Sequence, residues 1–493
     1  MKKIYISLII GLLLFPFYGC NKFIDPEINE NPDNPTEATP ELLLSSIQAR
    51  MGYTTIGGND AARLVNIWMQ QITGINRQSL STAYYIVRAE DGNNYWNANY
   101  AGTMMDIVQL RSISDKLGSE HYSAVADVLM ALSLAYTTDL WGDIPYTEAF
   151  RGDEALSPSY DTQESIYEAI DNLLSDAIMK FQMDPGDLPI NSNYDFIFRG
   201  DIEKWINIVY ALKARYYIHR SKVDDKYYDM AEKAALMTDL AMDNNMIFNF
   251  YNSPGQDNPF YQFQSQRQGD VVSCSTLVDL LKREFPLSDD PNALTIQDPR
   301  LSKYVEPIKD TIVVSSPEGN KTYYPGDYLG AIPGSGDTRY SSPGEAIASP
   351  NSPVVFIANF EILYILSEIS FNKGEFQMAR DYALEATTRS LQFYNAFNVD
   401  FIDAYRRYLD GLDSGLLFKE IIIGKYLALY LHLEVYNDFR RTNNVIGLVP
   451  NTQVPGNSEI PRRYIYPTSE VDLNRNTPRE GDTPYNPIWW DRN

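Results

Sequence analysis

The chain has 493 residues, 44% hydrophobic and 22% charged, enough apolar material to bury a large core in two or three domains or one elongated helical array. Its formal charge of −24 excludes DNA and RNA as partners, because phosphate binding needs a basic surface. The only cysteines are Cys20 and Cys274, so once Cys20 is otherwise used no disulfide can form.

The start, "MKKIYISLIIGLLLFPFYGC", joins two lysines to an apolar run and then to Gly19-Cys20. The run is shorter than the ~20 residues a membrane-spanning helix needs and fits a secretory signal. A small residue directly before Cys20 is similar to a bacterial lipoprotein cleavage site, with Phe17 and Tyr18 departing from the usual pattern. We therefore expect a lipoprotein signal over residues 1–19, lipidation at Cys20 and a lipid-anchored tether over 20–40. The alternative is an ordinary signal with a chance cysteine. "FIDPEINENPDNPTEAT" is polar and aperiodic, as a tether should be.

Helical patterns follow from about residue 41 to 247. Val125, Val128, Leu129, Leu132, Ala135 and Tyr136 recur at three- and four-residue spacing, as do Ile166, Ile170, Leu173, Ala177 and Phe181. Asp161 with Glu164 predicts a capping box at the start of the second stripe. Between the two stripes lies "DLWGDIPYTEAF", where Gly142 can take a left-handed conformation and Pro145 cannot continue a helix. Trp141 then becomes the last large side chain pinned to a neighbour. Further stripes run through "IEKWINIVYALKARYYIH" and "YYDMAEKAALMTDLAM". Trp96 shares a helical face with Tyr100, Met104, Ile107 and Val108 and is assigned to the core.

From about 248 to 353 Gly, Pro, Asn and Ser become dense, and only "TIVVSS" reads as a strand. A loop-rich segment of that length inside a helical protein points to function. Helices resume over about 354–445, and the remainder, 446–493, reads as irregular. In "FEILYILSEISFNKGEFQMARDYALEATTRSL" the spacing resembles a tetratricopeptide helix pair. Gly374 is its turn, Leu366-Ser367 its first-helix contact, and Ala379 and Ala386 its packing alanines. Ala383 and Ser370 depart from the usual aromatic and tyrosine.

Little of the chain offers catalytic chemistry. His121, His219 and His432 form no HExxH pattern, so no metal or cofactor is expected, and His219 and His432 fall within helical stripes as packing residues. No GxSxG elbow or phosphate-cradling loop occurs, and "IPGSGD" (332–337) reads as a flexible turn. The 36 tyrosines stand out, because many lie in polar, loop-like sequence such as "STAYYIVRAEDGNNYWNANY", "PFYQFQSQRQGD" and "KTYYPGDYLG". Rings flanked by amides and carboxylates suit a sugar's C–H faces and hydroxyls, and suit peptides too.

Several segments, in this order, resemble the SusD/RagB-like family of outer-membrane nutrient-binding lipoproteins. They are "NPDNPTEATPELLLSSI", "DLWGDIPYTEAF", "DPRL", "FEILYILSEISFNKG", "EVYNDFRRTN" and "RRYIYPTSE" with Asn474. The terminal "PIWWD" resembles one branch of that family. The resemblance implies a mainly α fold, with a tetratricopeptide-like helix-pair scaffold and a loop-rich ligand-presenting segment. It implies a non-enzymatic surface protein that captures an oligosaccharide or peptide and acts as a lid over a SusC-like TonB-dependent outer-membrane transporter. From loop texture and family region, ligand contacts are expected at Tyr84, Tyr85, Asn93 and Asn94, and at Phe263, Arg267, Tyr323, Tyr324 and Tyr328. The competing expectations are a helical-repeat scaffold for envelope complexes and an all-helical glycoside hydrolase.

Overall fold

Helices account for 54% of the structure and strands for 7%, so the scaffold is mainly helical, as the stripes predict. The computed structural model describes residues 38–492 apart from 58–60, 317–318, 452–458 and 480–481. The expected signal, the lipidation site Cys20 and the tether up to residue 37 lie outside the described residues. The chain divides into Met1–Thr39 and a compact unit, Pro40–Asn493.

In the compact unit the helices of 11 residues or more, among the described residues, are α1 (Pro40–Arg50), α2 (Met105–Leu117), α3 (Glu120–Trp141), α4 (Gln163–Phe181), α5 (Ile202–His219), α6 (Lys226–Leu236), α7 (Asn359–Asn372), α8 (Phe376–Phe393), α9 (Val399–Asp410) and α10 (Ser414–Ala428). Successive pairs α3/α4, α5/α6 and α7/α8 make the most extensive contacts, with α4 on α5, α6 on α7, and α7 on α10. Helix α3 is buried on every side from His121 to Trp141, as a helix without a polar face must be.

At the α7/α8 turn Gly374 takes φ +78° with open space around it. Ala379, Ala383 and Ala386 are all buried, and the Ser367 hydroxyl donates to the Ala379 carbonyl at 2.6 Å. Small side chains bring the two backbones together here. The departing Ala383 serves that contact as the expected alanines do.

The α3 corner forms as read, with one correction. Gly142 stops the helix at φ +86°, while the Trp141 indole donates to the Ile465 carbonyl at 2.9 Å and is fully buried. The cap of α4 is Thr162, not Asp161: the Thr162 hydroxyl accepts from Ser165 N at 3.2 Å. Asp161 is taken by the corner, accepting from the backbone N–H groups of Tyr146 and Thr147 at 2.8 and 2.9 Å. A carboxylate opposite a free backbone loop outcompetes a helix end already served by a hydroxyl.

"TIVVSS" forms the strand Ile312–Ser316, paired antiparallel with Gly319–Tyr323. Further strands escaped the sequence reading. Ile72–Gly74 pairs with Val271–Ser273, and Met246–Phe248 with Val354–Ile357, each antiparallel. Three or four residues are too few for alternation to be legible. The second ladder joins the two flanks of the loop-rich segment to each other, and the first ties its interior to the strand Ile72–Gly74.

The sequence hallmarks converge in the interior. Asp139, from the corner, accepts from the Tyr167 hydroxyl at 2.6 Å, the Asn437 amide at 2.9 Å and the Trp490 indole at 3.2 Å. His219 Nε2 lies 2.6 Å from Glu434 Oε2, and Arg215 donates to Glu361 through Nε at 2.6 Å. Arg440 donates to the Asp139 carbonyl at 2.7 Å and lies over the rings of Tyr436 and Trp490. Thus "DLWGD", "EVYNDFRRTN" and "PIWWD" are three strips of one buried polar network. Burial raises the Glu434 carboxyl, but His219 and Arg215 together hold it well below the usual range. His219 and His432 are both buried, each inside hydrogen bonds and not on a purely apolar face.

Candidate functional site

The strand Ile72–Gly74 leads into a short helix, Arg77–Ala83, that carries Tyr84 and Tyr85 at its end. Gly74 is required there, because a Cβ would lie 1.8 Å from the Ser79 carbonyl oxygen. Three non-glycine residues of this stretch have left-handed backbone: Gln70 (φ +58°), Arg77 (+49°) and Tyr85 (+57°). Each costs on the order of 1–3 kcal/mol and persists only where the surroundings fix it. Those fixings are visible. The Thr276 hydroxyl donates to Gln70 at 2.7 Å, Arg77 pairs with buried Asp270 at 2.7 Å, and the Tyr85 hydroxyl accepts from Asn451 N at 3.0 Å.

Over this platform runs the connection from Leu329 to Ser341. Its Gly334 N donates to Thr73 Oγ1 at 2.8 Å, and a Cβ on Gly334 would meet the Tyr84 ring at 2.7 Å. The "IPGSGD" turn is therefore clamped to the platform. On its other side Tyr340 packs with Tyr323 against a small core of Ile308, Ile312 and Leu329. Two ammonium groups flank the Tyr323 ring, Lys321 at 5.0 Å and Lys282 at 5.8 Å from its centre. Lys282 also donates to the Tyr328 carbonyl at 3.1 Å.

The nine expected contacts thus fall into several different settings. Tyr84, Tyr323 and Tyr328 border the 329–341 connection, while Arg267 ends the helix Pro259–Gln266, its N–H donating to the Phe263 carbonyl at 2.9 Å. Tyr324, next to Tyr323, is 61% exposed. Tyr85 and Phe263 are buried; the Phe263 ring stacks on Phe260 and lies 4.3 Å from the Arg63 guanidinium. Burial pushes the Tyr85 hydroxyl above its ordinary pKa. Asn93 and Asn94 stand on a separate turn of helix, Asn93–Asn97, where Asn93 accepts from Ser469 N at 3.4 Å. The turn just before it, Ala89–Gly92, is tied to the platform by the Gln78 amide, which donates to Asp91 at 2.9 Å. Trp96 is buried against Trp141 and Tyr100, as assigned.

Two features carry no signal in the sequence. One is a cleft of about 320 Å³ whose walls come from residues 56–57, 62–63, 258, 260, 303, 345–347, 349, 351–355, 360, 393–395 and 428–432. None of the nine expected contacts lines it. Segments this far apart in sequence share a cleft only once the fold is known. The other is the grouping of Asp139, His219 and Glu434 at metal-ligand separations. Its atoms are engaged with protein partners: His219 Nε2 lies 2.6 Å from Glu434 Oε2, and Asp139 accepts from Tyr167, Asn437 and Trp490.

The fold is a scaffold of helix pairs with one clamped, tyrosine-edged loop face. Solved structures share this fold over nearly their whole length. A SusD/RagB family protein from Bacteroides thetaiotaomicron is 22% identical and aligns over 92% of this chain and 99% of its own, with a TM-score of 0.72. A chitin-binding protein is 22% identical over 92% of this chain and 100% of its own, with a TM-score of 0.74. A chitin-binding SusD homologue from Flavobacterium johnsoniae is 18% identical over 92% and 99%, with a TM-score of 0.72. No curated protein sequence matches the chain significantly. The chain belongs to the SusD-like family described as starch-binding and associating with the outer membrane, whose model matches residues 32–467. Members of this family are binding proteins, not enzymes.

Proposed function

We propose that this protein captures a neutral oligosaccharide on its tyrosine-edged loop face and delivers it to a SusC-like TonB-dependent transporter, acting as a lipid-anchored lid at the outer-membrane surface. The observation that carries the binding half is the clamped loop face itself. Tyr324 projects into solvent at 61% exposure from a hairpin seated on its own small core, while Tyr84 is braced by the 329–341 connection. Rigid rings with polar tips lose little entropy on binding and stack on the apolar faces of sugar rings. The chitin-binding neighbours and the starch-binding family description support a glycan over a peptide.

The delivery half rests on family resemblance and on the reading of Cys20 as a lipidated residue with a polar tether. Two acyl chains anchor stably where one is marginal. A tether behind them lets the domain swing without leaving the membrane. The ligand shifts the lid only if it contacts the closed state better than the open one.

Affinity electrophoresis in gels containing soluble starch, glycol chitin or other polysaccharides tests the binding half. Retardation by at least one glycan is expected. Tyr324→Ala should weaken it about fivefold, since one aromatic contact contributes about 0.5–1.5 kcal/mol, with the melting temperature unchanged. Binding of peptides with no glycan retained would overturn the ligand class. Affinity purification from solubilised outer membranes that recovers no large β-barrel would overturn the partnership.

A further inference from the structure

The cleft of about 320 Å³ lies at the seam between the loop-rich segment and the scaffold, away from the loop face. The buried Arg63 side chain forms the wall nearest the platform. It donates to Ser79 at 2.9 Å and covers the Phe263 ring, so its guanidinium is engaged on the platform side. The volume is at the lower end of the ~300–1,000 Å³ typical of small-molecule sites.

Its lining is of two kinds. Phe260, Phe360, Phe393, Tyr394 and Tyr430 supply aromatic wall. Around the mouth, Ser349, Asn351 and Asn395 offer a hydroxyl and two amides that make no side-chain hydrogen bond to any described residue. The other polar groups are occupied. Asn258 caps the helix Pro259–Gln266 and donates to the Ser352 carbonyl at 2.9 Å, and Lys303 is neutralised by Glu345 at 2.7 Å. Burial and Arg215 hold His432 below its usual pKa. An occupant therefore meets flat apolar surface inside and neutral donors and acceptors at the rim.

The wall is also strained. Leu431 (φ +58°) and Asn395 (+52°) both have left-handed backbone, and Leu431 N is fixed by the Gln71 side chain at 2.7 Å. Leucine gains nothing locally from this conformation. Its retention here shapes the wall that the cleft presents.

We propose that this cleft is a second saccharide site, taking one neutral sugar unit with a C–H face on the aromatic wall and hydroxyls on Ser349, Asn351 and Asn395. It is independent of the loop face and of the transporter partnership. A loop face open to solvent accommodates a run of a chain, whereas this cleft accommodates a single unit.

The test uses the purified protein and four probes: the methyl glycosides of glucose, galactose, mannose and N-acetylglucosamine, followed by saturation-transfer NMR and calorimetric titration. At least one should bind with millimolar affinity. Asn395→Gly keeps the left-handed backbone while removing the amide, and should weaken that binding about fivefold. Ala346→Trp, at the mouth, should abolish it, and Tyr324→Ala should leave it unchanged. Thermal melts check that each variant is folded; if Ala346→Trp is not, Asn395→Gly and Asn351→Ala decide the matter. No binding by any probe overturns the proposal, as does binding that survives the cleft variants. Loss on Tyr324→Ala alone assigns the sugar to the loop face, which overturns the second site and leaves the proposed function standing.

Discussion

Arg215 has no solvent exposure, and its guanidinium faces both Glu361 and Glu434. It donates to Glu361 through Nε at 2.6 Å and to the Phe356 carbonyl at 2.8 Å, with Glu434 at 3.7 Å. Arg215→Met removes the cation and strands the Glu361 carboxylate in a dry interior. Breaking a buried pair from one side costs about 3–5 kcal/mol. A unit of roughly 450 residues, at about 2 cal/mol/K per residue, loses about 1 °C of melting temperature per kcal/mol. The variant should therefore melt about 3–5 °C lower in a calorimetric scan. Arg215→Met with Glu361→Leu removes both charges and leaves mainly the Phe356 carbonyl unserved, at about 1–3 kcal/mol. The double variant should thus be more stable than the single one. A single variant within about 1 kcal/mol of the parent, or a double variant less stable than Arg215→Met, would refute the view that this pair is a desolvated charge tie.

The pH dependence follows from His432, whose folded pKa lies below the ordinary 6.5 because of burial first and the Arg215 charge second. A depressed value means that its stability is fully present above the unfolded pKa of about 6.5 and is lost as pH falls below it. His432→Gln should flatten the melting temperature between about pH 6.5 and 5; a slope unchanged by the substitution would exclude His432 as its source. Gly142→Ala forces a side chain into φ +86° at the corner and should cost about 1–3 kcal/mol, read by urea unfolding. A neutral effect would mean that Trp141, and not the glycine, ends the helix.

The scaffold was legible because α3, α4 and α5 each repeat their apolar spacing over several turns. The corner was legible because glycine and proline have few conformational alternatives. Asp161 misled because its spacing to Glu164 satisfies a local rule, while the Tyr146 and Thr147 amides that claim it lie 15 and 14 residues away. The ladders at Ile72–Gly74 and Val354–Ile357 were illegible because their partners are far off and each strand spans under two periods. The candidate site was legible only as a texture. Composition marks a tyrosine-rich loop, but Tyr323 and Tyr324 differ by one position and face a small core and open water respectively. Tyr85 and Phe263 have the same surroundings in sequence as Tyr84 and Arg267, yet their rings are enclosed. Nothing in composition distinguishes a ring that packs from one that projects. The buried network was visible only as family hallmarks; its chemistry emerged when the three strips met.

The tail has a consequence for how the molecule is assembled. Trp490 reaches Asp139 across 351 positions of chain, and Ile465 receives Trp141 across 324. Contacts of that span are slow to form, since the chain must close very large loops before they give any return. Helices α3 to α5 can gather early, but their polar seam stays open to water until the last strip arrives to seal it. A polypeptide interrupted a few residues short would thus carry nearly all its helices and still expose a seam of unmatched charges, the kind of opening that proteases find first.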